Sequence, residues 1–143
     1  MTAAAILTQG TTFSIDDVGG STPTIISGVQ SVTGIGSGKA TEINVTTLAS
    51  TAKEFRMGLQ DFGSFVMNFN WDQNDAGQLE MYTKMGTQTP AKFVMVLPAT
   101  NPTITIHTWT ATVYIVEMAA EVAADGVVKG TATLRVTGAP AWS

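Results

Sequence analysis

Cysteine is absent from this chain, which removes a disulfide framework, a thiolate metal site and a cysteine nucleophile together. A small secreted module stapled by disulfides is therefore not expected, and a reducing cytoplasm suits the composition. Charge is also scarce, at 13% of residues, roughly half the usual share for a soluble protein. The little there is leans acidic, with a net charge of −4 and an isoelectric point near 4.7. Proteins that grip nucleic acid neutralise phosphates with Lys and Arg, so tight DNA binding is disfavoured. Histidine occurs once, at His107, too few for a zinc site or a hydrolytic triad built on imidazole. No apolar run nears the roughly 18 residues that span a bilayer, and the apolar start Met1 to Leu7 lacks the basic flank of a signal peptide. Neither a membrane nor an export role is expected.

What is present is β-branched. Threonine is abundant beside valine, isoleucine and glycine, which suits pleated strands better than helices. At 143 residues the chain fits one domain, expected to run from 1 to 143. Residues 1–20 read as an arm and one strand ending in the Gly19-Gly20 turn. Thr24–Thr33 and Thr41–Thr47, separated by Gly34-Ile35-Gly36-Ser37-Gly38, predict a hairpin. Leu48–Asp61 breaks the alternation and carries both signs of charge, so it is expected to be a functional loop. Phe62–Asp72 returns to period two, with Phe65, Met67, Phe69 and Trp71 on one face. One helix is expected from about Asp75 to Met85, capped by Asn74 or Asp72, stopped by Gly86, and marked by Leu79, Tyr82 and Met85 at helical spacing. Glu80 precedes Lys84 by four residues, a favourable order. Strands over Ala91–Leu97, about Thr103–Val122 and Val127–Thr137 follow, the last two turned by Asp125-Gly126.

Motifs with chemical meaning fail on inspection. Gly34–Lys39 (GIGSGK) places Thr33 where a phosphate loop needs glycine and Ala40 where it needs Ser or Thr, so turn chemistry explains it. Asp72, Asn74 and Gly77 fit three positions of a calcium loop, but Ala76 and Thr83 replace two ligands, the bidentate glutamate included. Glu42, Glu117, Glu121 and Asp125 lie on or beside strands, where a solvated sheet face accounts for them better than a glycosidase pair. No catalytic residue, metal ligand or cofactor is expected, and the Asn44-Val45-Thr46 sequon has no meaning without export.

The order of several segments does carry information. Thr41-Glu42-Ile43-Asn44-Val45-Thr46-Thr47-Leu48, Ser50-Thr51-Ala52-Lys53-Glu54-Phe55 and Gly58-Leu59-Gln60-Asp61-Phe62-Gly63 are followed by Phe69-Asn70-Trp71-Asp72, Asp75-Ala76-Gly77-Gln78 and the ending Gly126–Gly138. Over roughly Thr41 to Pro140 the chain resembles the tail tube proteins of long-tailed, lambda-like bacteriophages. The resemblance implies a mainly β fold, a β-sandwich or partial barrel of two antiparallel sheets flanked by one α-helix at about 74–86. It implies hexameric rings stacked into a tube, without enzymatic activity, through which genomic DNA passes during ejection. About four strands per subunit, about 24 per ring, spaced roughly 4.8 Å and tilted about 45°, would close a backbone barrel about 50 Å across. Partners implied are further copies of the chain and the tape measure, terminator and baseplate or tip proteins, in a virion tail assembled in the host cytoplasm. By the same resemblance Lys53, Glu54, Phe55, Arg56, Leu59 and Asp61 are expected at inter-ring or inter-subunit contacts, and Glu42, Glu117 and Glu121 are candidates to line a DNA-repelling bore. The immunoglobulin-like C-terminal domain of many such relatives is not expected here. Rival readings are another tail protein of the same fold (terminator, hub or contractile inner tube) and an adhesive, carbohydrate-binding sandwich displaying Trp71, Trp109 or Trp142.

Overall fold

The computed structural model describes residues 10–36, 38–98, 108–124 and 126–143. The arm Met1–Leu7, His107, Asp125 and the expected strand start at Thr103 lie outside the described residues. Nine strands and one helix follow in order: β1 (Thr12–Asp17), β2 (Thr24–Ile25), β3 (Val29–Thr33), β4 (Lys39–Asn44), β5 (Phe55–Asp61), β6 (Ser64–Asn70), α1 (Ala76–Thr87), β7 (Ala91–Val96), β8 (Thr108–Glu121) and β9 (Lys129–Trp142). Seven strands form one antiparallel sheet in the order β2-β1-β7-β8-β9-β6-β3, and β4 pairs with β5 in a second, two-stranded sheet. The mainly β architecture flanked by one helix is as the sequence led us to expect.

Period-two alternation builds the core. Phe65, Met67 and Phe69 of β6, Phe93 of β7, Trp109 and Val113 of β8, and Ala132 and Leu134 of β9 all point to one side and are buried. Phe65 stands edge-on to Trp109 at 5.7 Å between ring centroids and lies 5.0 Å from Phe93. Such tilted pairs add about 0.5–1.5 kcal/mol each to the area they bury.

The expected hairpin between 24–33 and 41–47 does not form. β3 pairs with β6, from Thr33↔Val66 to Val29↔Phe69, and β4 pairs with β5 from Lys39↔Asp61 to Asn44↔Phe55. The two pairings are successive parts of one long hairpin, interrupted at a neck. There Gly34 adopts a φ of +101°, Gly63 a φ of +69°, and the Gly34 α-carbon comes so near β6 that a Cβ would sit 3.1 Å from the Ser64 carbonyl oxygen. Glycine is the residue that tolerates this conformation. The Gly-rich run is thus a kink in an outgoing strand and not a reversal. Nor is Leu48–Asp61 a loop throughout: its second half is β5, whose register bulges between Ala40 and Glu42.

The helix also departs from expectation at both ends. Asp75 caps it, accepting the Gln78 amide at 3.0 Å and the Ser27 amide at 3.1 Å, while Asp72 accepts the Asn74 amide in the preceding turn. Gly86 remains inside the helix, which ends only where Gln88 turns left-handed at φ 54°. The Glu80–Lys84 pair forms at 3.8 Å, and Lys84 also bonds Asp17. The Asp17 hydrogen bond is the first cause holding the Lys84 ammonium above its ordinary range.

The buried helix face is Gly77, Gln78 and Met81, whereas Leu79 and Tyr82 face outward. Small size decides this. A Cβ on Gly77 would fall 2.4 Å from the Ile25 carbonyl oxygen, so only glycine lets α1 lie directly on β2. Beside it the buried Gln78 amide accepts from Asp72 N–H at 2.8 Å and donates to the carbonyls of Ser27 and Asn70, both at 2.9 Å. One side chain thereby ties the helix to the ends of two chain segments.

Alanine normally favours a helix over glycine by about 1 kcal/mol. Gly77→Ala is nevertheless expected to destabilise the protein by about 1–3 kcal/mol, because the added methyl overpacks against backbone. Urea unfolding followed by tryptophan fluorescence measures it, and an unchanged or raised midpoint would show that the helix does not sit this close.

Candidate assembly surfaces

The hairpin tip, residues 45–54, is held by its own polar groups. Val45 N–H donates to the Glu54 carbonyl at 3.0 Å, Glu54 N–H donates to Thr46 Oγ1 at 2.8 Å, and Ser50 Oγ donates to the Glu54 carboxylate at 3.2 Å. Glu54 therefore shapes the tip. From the tip, β5 carries Phe55, Met57 and Leu59, all exposed, Leu59 at 94%. An apolar strand displayed this openly, with Ile43 on β4 beside it, is unusual for a solitary molecule. Lys39, Lys53 and Arg56 on the same hairpin have no carboxylate within ion-pair distance among the described residues.

At the neck the hairpin is fastened to β9. Arg135 reaches both Asp61 oxygens, at 2.8 and 2.9 Å, Gly63 N–H donates to Asp61 at 2.9 Å, and Val136 N–H donates to the Gly63 carbonyl at 3.0 Å. The Gly63 hydrogen bond, then the Arg135 contact, hold the Asp61 carboxyl below its ordinary value. Of the residues expected at contacts, Lys53, Phe55, Arg56 and Leu59 are exposed, Lys53 and Arg56 without a carboxylate in ion-pair distance among the described residues, whereas Asp61 is engaged within its own chain.

A second surface is the outer face of β8, β9, β6 and β3. Thr131 donates to Asn68 at 3.1 Å and Asn68 donates to Ser31 at 3.1 Å, a hydrogen-bonded rung across three strands. Thr133 lies opposite Val66 on β6 and opposite Glu117 on β8; Glu121 lies opposite Lys129. The sheet therefore brings Glu117 and Glu121 onto one polar face, with the bulge between Ile115 and Glu117 setting that parity. Glu42 is elsewhere, opposite Met57 on the hairpin.

Among the described residues, both sides of this face end in unpaired backbone. β3 is a terminal strand, and β7 pairs with β8 only through Thr108–Val113, so no described strand continues the ladder beside residues 114–121. Free edges are templates for further strands.

The third surface is a cleft of 490 Å³ where α1 meets distal β8, lined by Trp71, Asp72, Leu79, Tyr82 and Met118 among others. Its place could not be read from the sequence, since Leu79 and Tyr82 have the spacing of a core-facing helix stripe. Trp109 is only 1% exposed and Trp71 stacks on Phe69 at 5.9 Å, so no platform of exposed tryptophans arises from these two; Trp142 alone is open.

Free strand edges, a displayed apolar hairpin and a sparsely charged surface define a structural protein of the self-associating class. The family model for phage tail tube proteins of the lambda-like type matches residues 4–143, and the chain belongs to that family: it is a tail tube structural subunit, a component of the virion tail. Among solved structures it is similar to the tail tube of SPP1 (TM-score 0.73, 15% identity, 96% of this chain and 78% of that one). It is similar also to the tail of an empty gene transfer agent particle, refined with C6 symmetry (TM-score 0.70, 14% identity, 92% and 94%). A third likeness is to a chain in the sheath/tube terminator structure of the extracellular contractile injection system PVC (TM-score 0.73, 10% identity, 100% and 99%). A search of curated proteins gave no match.

The neck generates a pH prediction. An acid depressed on folding adds stability that is present above its unfolded value and is lost as pH falls through the folded one. The Gly63 amide resonance is expected to titrate with a midpoint below 3.8, and Arg135→Ala to raise that midpoint only partway, because the larger Gly63 cause remains. A midpoint that ignores Arg135→Ala would remove the guanidinium from the account.

Proposed function

We propose that this subunit closes into hexameric rings that stack into the tail tube, the conduit for genomic DNA. The carrying observation is the polar four-strand face flanked by two open edges, β3 and residues 114–121 of β8. Edge-to-edge joining of copies satisfies both rows of backbone groups and converts a liability into an interface. The number six is supported by the C6 symmetry of the gene transfer agent tail, which shares the fold.

In this reading the Ser, Thr and Asn face lines the bore, with Glu117 and Glu121 supplying negative charge, and Glu42 belongs to the wall where the hairpin prolongs it. Duplex DNA carries one negative charge per about 1.7 Å, and a neutral or acidic wall lets it slide. The hairpin, with Lys53, Phe55, Arg56 and Leu59 outward and Glu54 and Asp61 holding its shape, supplies inter-ring contacts. The role is structural and not enzymatic. Tape measure, terminator and baseplate or tip proteins are the further partners, and assembly takes place in the host cytoplasm. The whole chain serves as one tube domain.

Concentrated protein is expected to form hollow, annularly repeating tubes in negative stain; persistently compact particles would overturn the reading. Glu54→Lys combined with Arg56→Ala is expected to shorten tubes or abolish them, and tubes of normal length would exclude the hairpin from stacking. With Glu117→Lys and Glu121→Lys together, assembled tubes are expected to retain duplex DNA at low salt and release it at high salt. If retention equals that of the unaltered tube, these two carboxylates do not face the bore.

A further inference from the structure

Each of the two strand edges left open among the described residues carries an apolar hollow on its core-facing side. At the β8 edge Met118, midway along residues 114–121, is half-buried opposite Ala132, and it lines the α1–β8 cleft with Trp71, Leu79 and Tyr82. At the β3 edge Val29 and Val32 lie opposite the buried Phe69 and Met67, and with Ile35, Met95 and Leu97 they line a second hollow of 460 Å³. The other sides of the same two strands are polar, with Ser31 and Thr33 on β3 and Glu117 and Glu121 on β8. Both edges are therefore two-faced in the same sense, polar on one side of the sheet and apolar on the other.

Strand direction agrees with face. β8 is antiparallel to β9, β9 to β6 and β6 to β3, so β8 and β3 run in opposite directions. Rotation about a ring axis leaves the direction and the inward side of every strand unchanged. The β3 edge of one copy thus meets the β8 edge of the next antiparallel, polar side continuing polar side. A strand added there sits about 4.8 Å from residues 114–121, and its core-facing side chains stand about 5 Å from those of Met118 and its strand neighbours. Leu79 and Tyr82, 58% and 55% exposed on α1, line the same cleft as Met118 and gain an apolar cover.

We infer that the α1–β8 cleft is filled by β3 of the lateral neighbour, whose Val29 and Val32 pack on Met118, Leu79 and Tyr82 as an apolar seam behind the bore wall. The inference rests on the ring reading above and deepens it by naming what covers the cleft. Backbone pairing supplies direction to the joint, and the seam supplies non-directional attraction and fixes its phase. A slip of one residue would turn both valines to the bore and drive Ser31 and Thr33 into the seam.

The absence of native cysteine makes the test direct. Two double variants cover the in-phase registers: Val32→Cys with Met118→Cys, and Val32→Cys with Ala120→Cys. Each is assembled, oxidised and run on a denaturing gel. An internal bridge is barred, because β3 and β8 of one chain are three strand spacings apart, about 14 Å, against the roughly 7 Å between α-carbons that a disulfide tolerates. One of the two is expected to give a ladder of covalent oligomers that stops at the copies of one ring, with no cross-link from any single variant. The out-of-phase pair Val32→Cys with Ala119→Cys is expected to stay uncrosslinked. Tubes without a ladder from either in-phase pair sink this inference and leave the tube reading intact. Dimers from Met118→Cys alone would mean that two β8 edges meet about a twofold axis, which overturns it as well, and so does a ladder running past one ring. If the unaltered chain forms no tubes, the tube reading falls and this inference with it.

A second measurement needs no cross-link. Leu79→Asp alters an exposed position, so the melting temperature of the unassembled chain is expected to stay within the range of surface substitutions. The critical concentration for tubes is expected to rise about tenfold or more, a tenfold step being about 1.4 kcal/mol. An unchanged critical concentration would show that the cleft stays uncovered in the tube and would overturn the proposal.

Discussion

The β8–β9 hairpin is the constraint from which the rest follows. Each of its strands is 14 residues long, twice the length of β6. Neither strand's outer edge is covered along its whole length: β7 occupies only the Thr108–Val113 side of β8, and β6 only the Lys129–Arg135 side of β9. The two half-covers sit at opposite ends, so the sheet curls over Trp109, Phe65 and Phe93 and, among the described residues, leaves the far part of β8 paired with β9 on one edge and with no strand on the other. Core and open edge are thus two outcomes of one offset. Extending β7 past Val113 would cover that edge.

Sparse charge becomes intelligible on the same ground. A solitary domain keeps strands apart from those of other copies with edge lysines and inward charges. Here the edge β3 is VQSVT, without a charge, and the hairpin shows Phe55, Met57 and Leu59 to water. Surface that neighbours cover needs few solvating groups, and charges left in a contact must be matched or they cost desolvation energy. The bases that do occur on the body are largely engaged: Lys84 with Asp17 and Glu80, Lys92 with Asp16, Arg135 with Asp61.

What could be read from the sequence followed the range of the interactions concerned. Local signals were legible: period two placed Phe65, Met67 and Phe69 inward, and the alternation of Ala132, Leu134 and Val136 with polar residues marked β9. The Glu80–Lys84 spacing likewise produced its ion pair. Pairing across distance was not legible. Nothing local tells Val29–Thr33 to choose β6 over the nearer β4, because the choice depends on a neck whose glycines look like an ordinary turn. Helix facing failed for a related reason. Leu79 and Tyr82 have the pattern of a core stripe, but the close approach allowed by Gly77 and the three backbone partners of Gln78 turn the opposite side inward. Leu48–Asp61 was expected to be a loop, whereas its second half is the strand β5, whose alternation mixed charge concealed.

A tube needs two kinds of contact, and the surfaces here differ in the way that such a division requires. Strand-edge pairing is directional and sensitive to register, because a slip of one residue exchanges the faces of a strand. It suits closure around a bore whose wall must stay polar. Under the proposed stacking, a hairpin end meeting a neighbouring ring is a short contact, worth little taken singly. Once a ring has formed, its hairpins are presented together, so the first to engage raises the effective concentration of the others without any new contact. Stacking then depends on prior ring closure, which keeps free subunits from stringing together through their poles. Under the proposed stacking, the weakness of the single axial contact makes the order of assembly ring first and tube second.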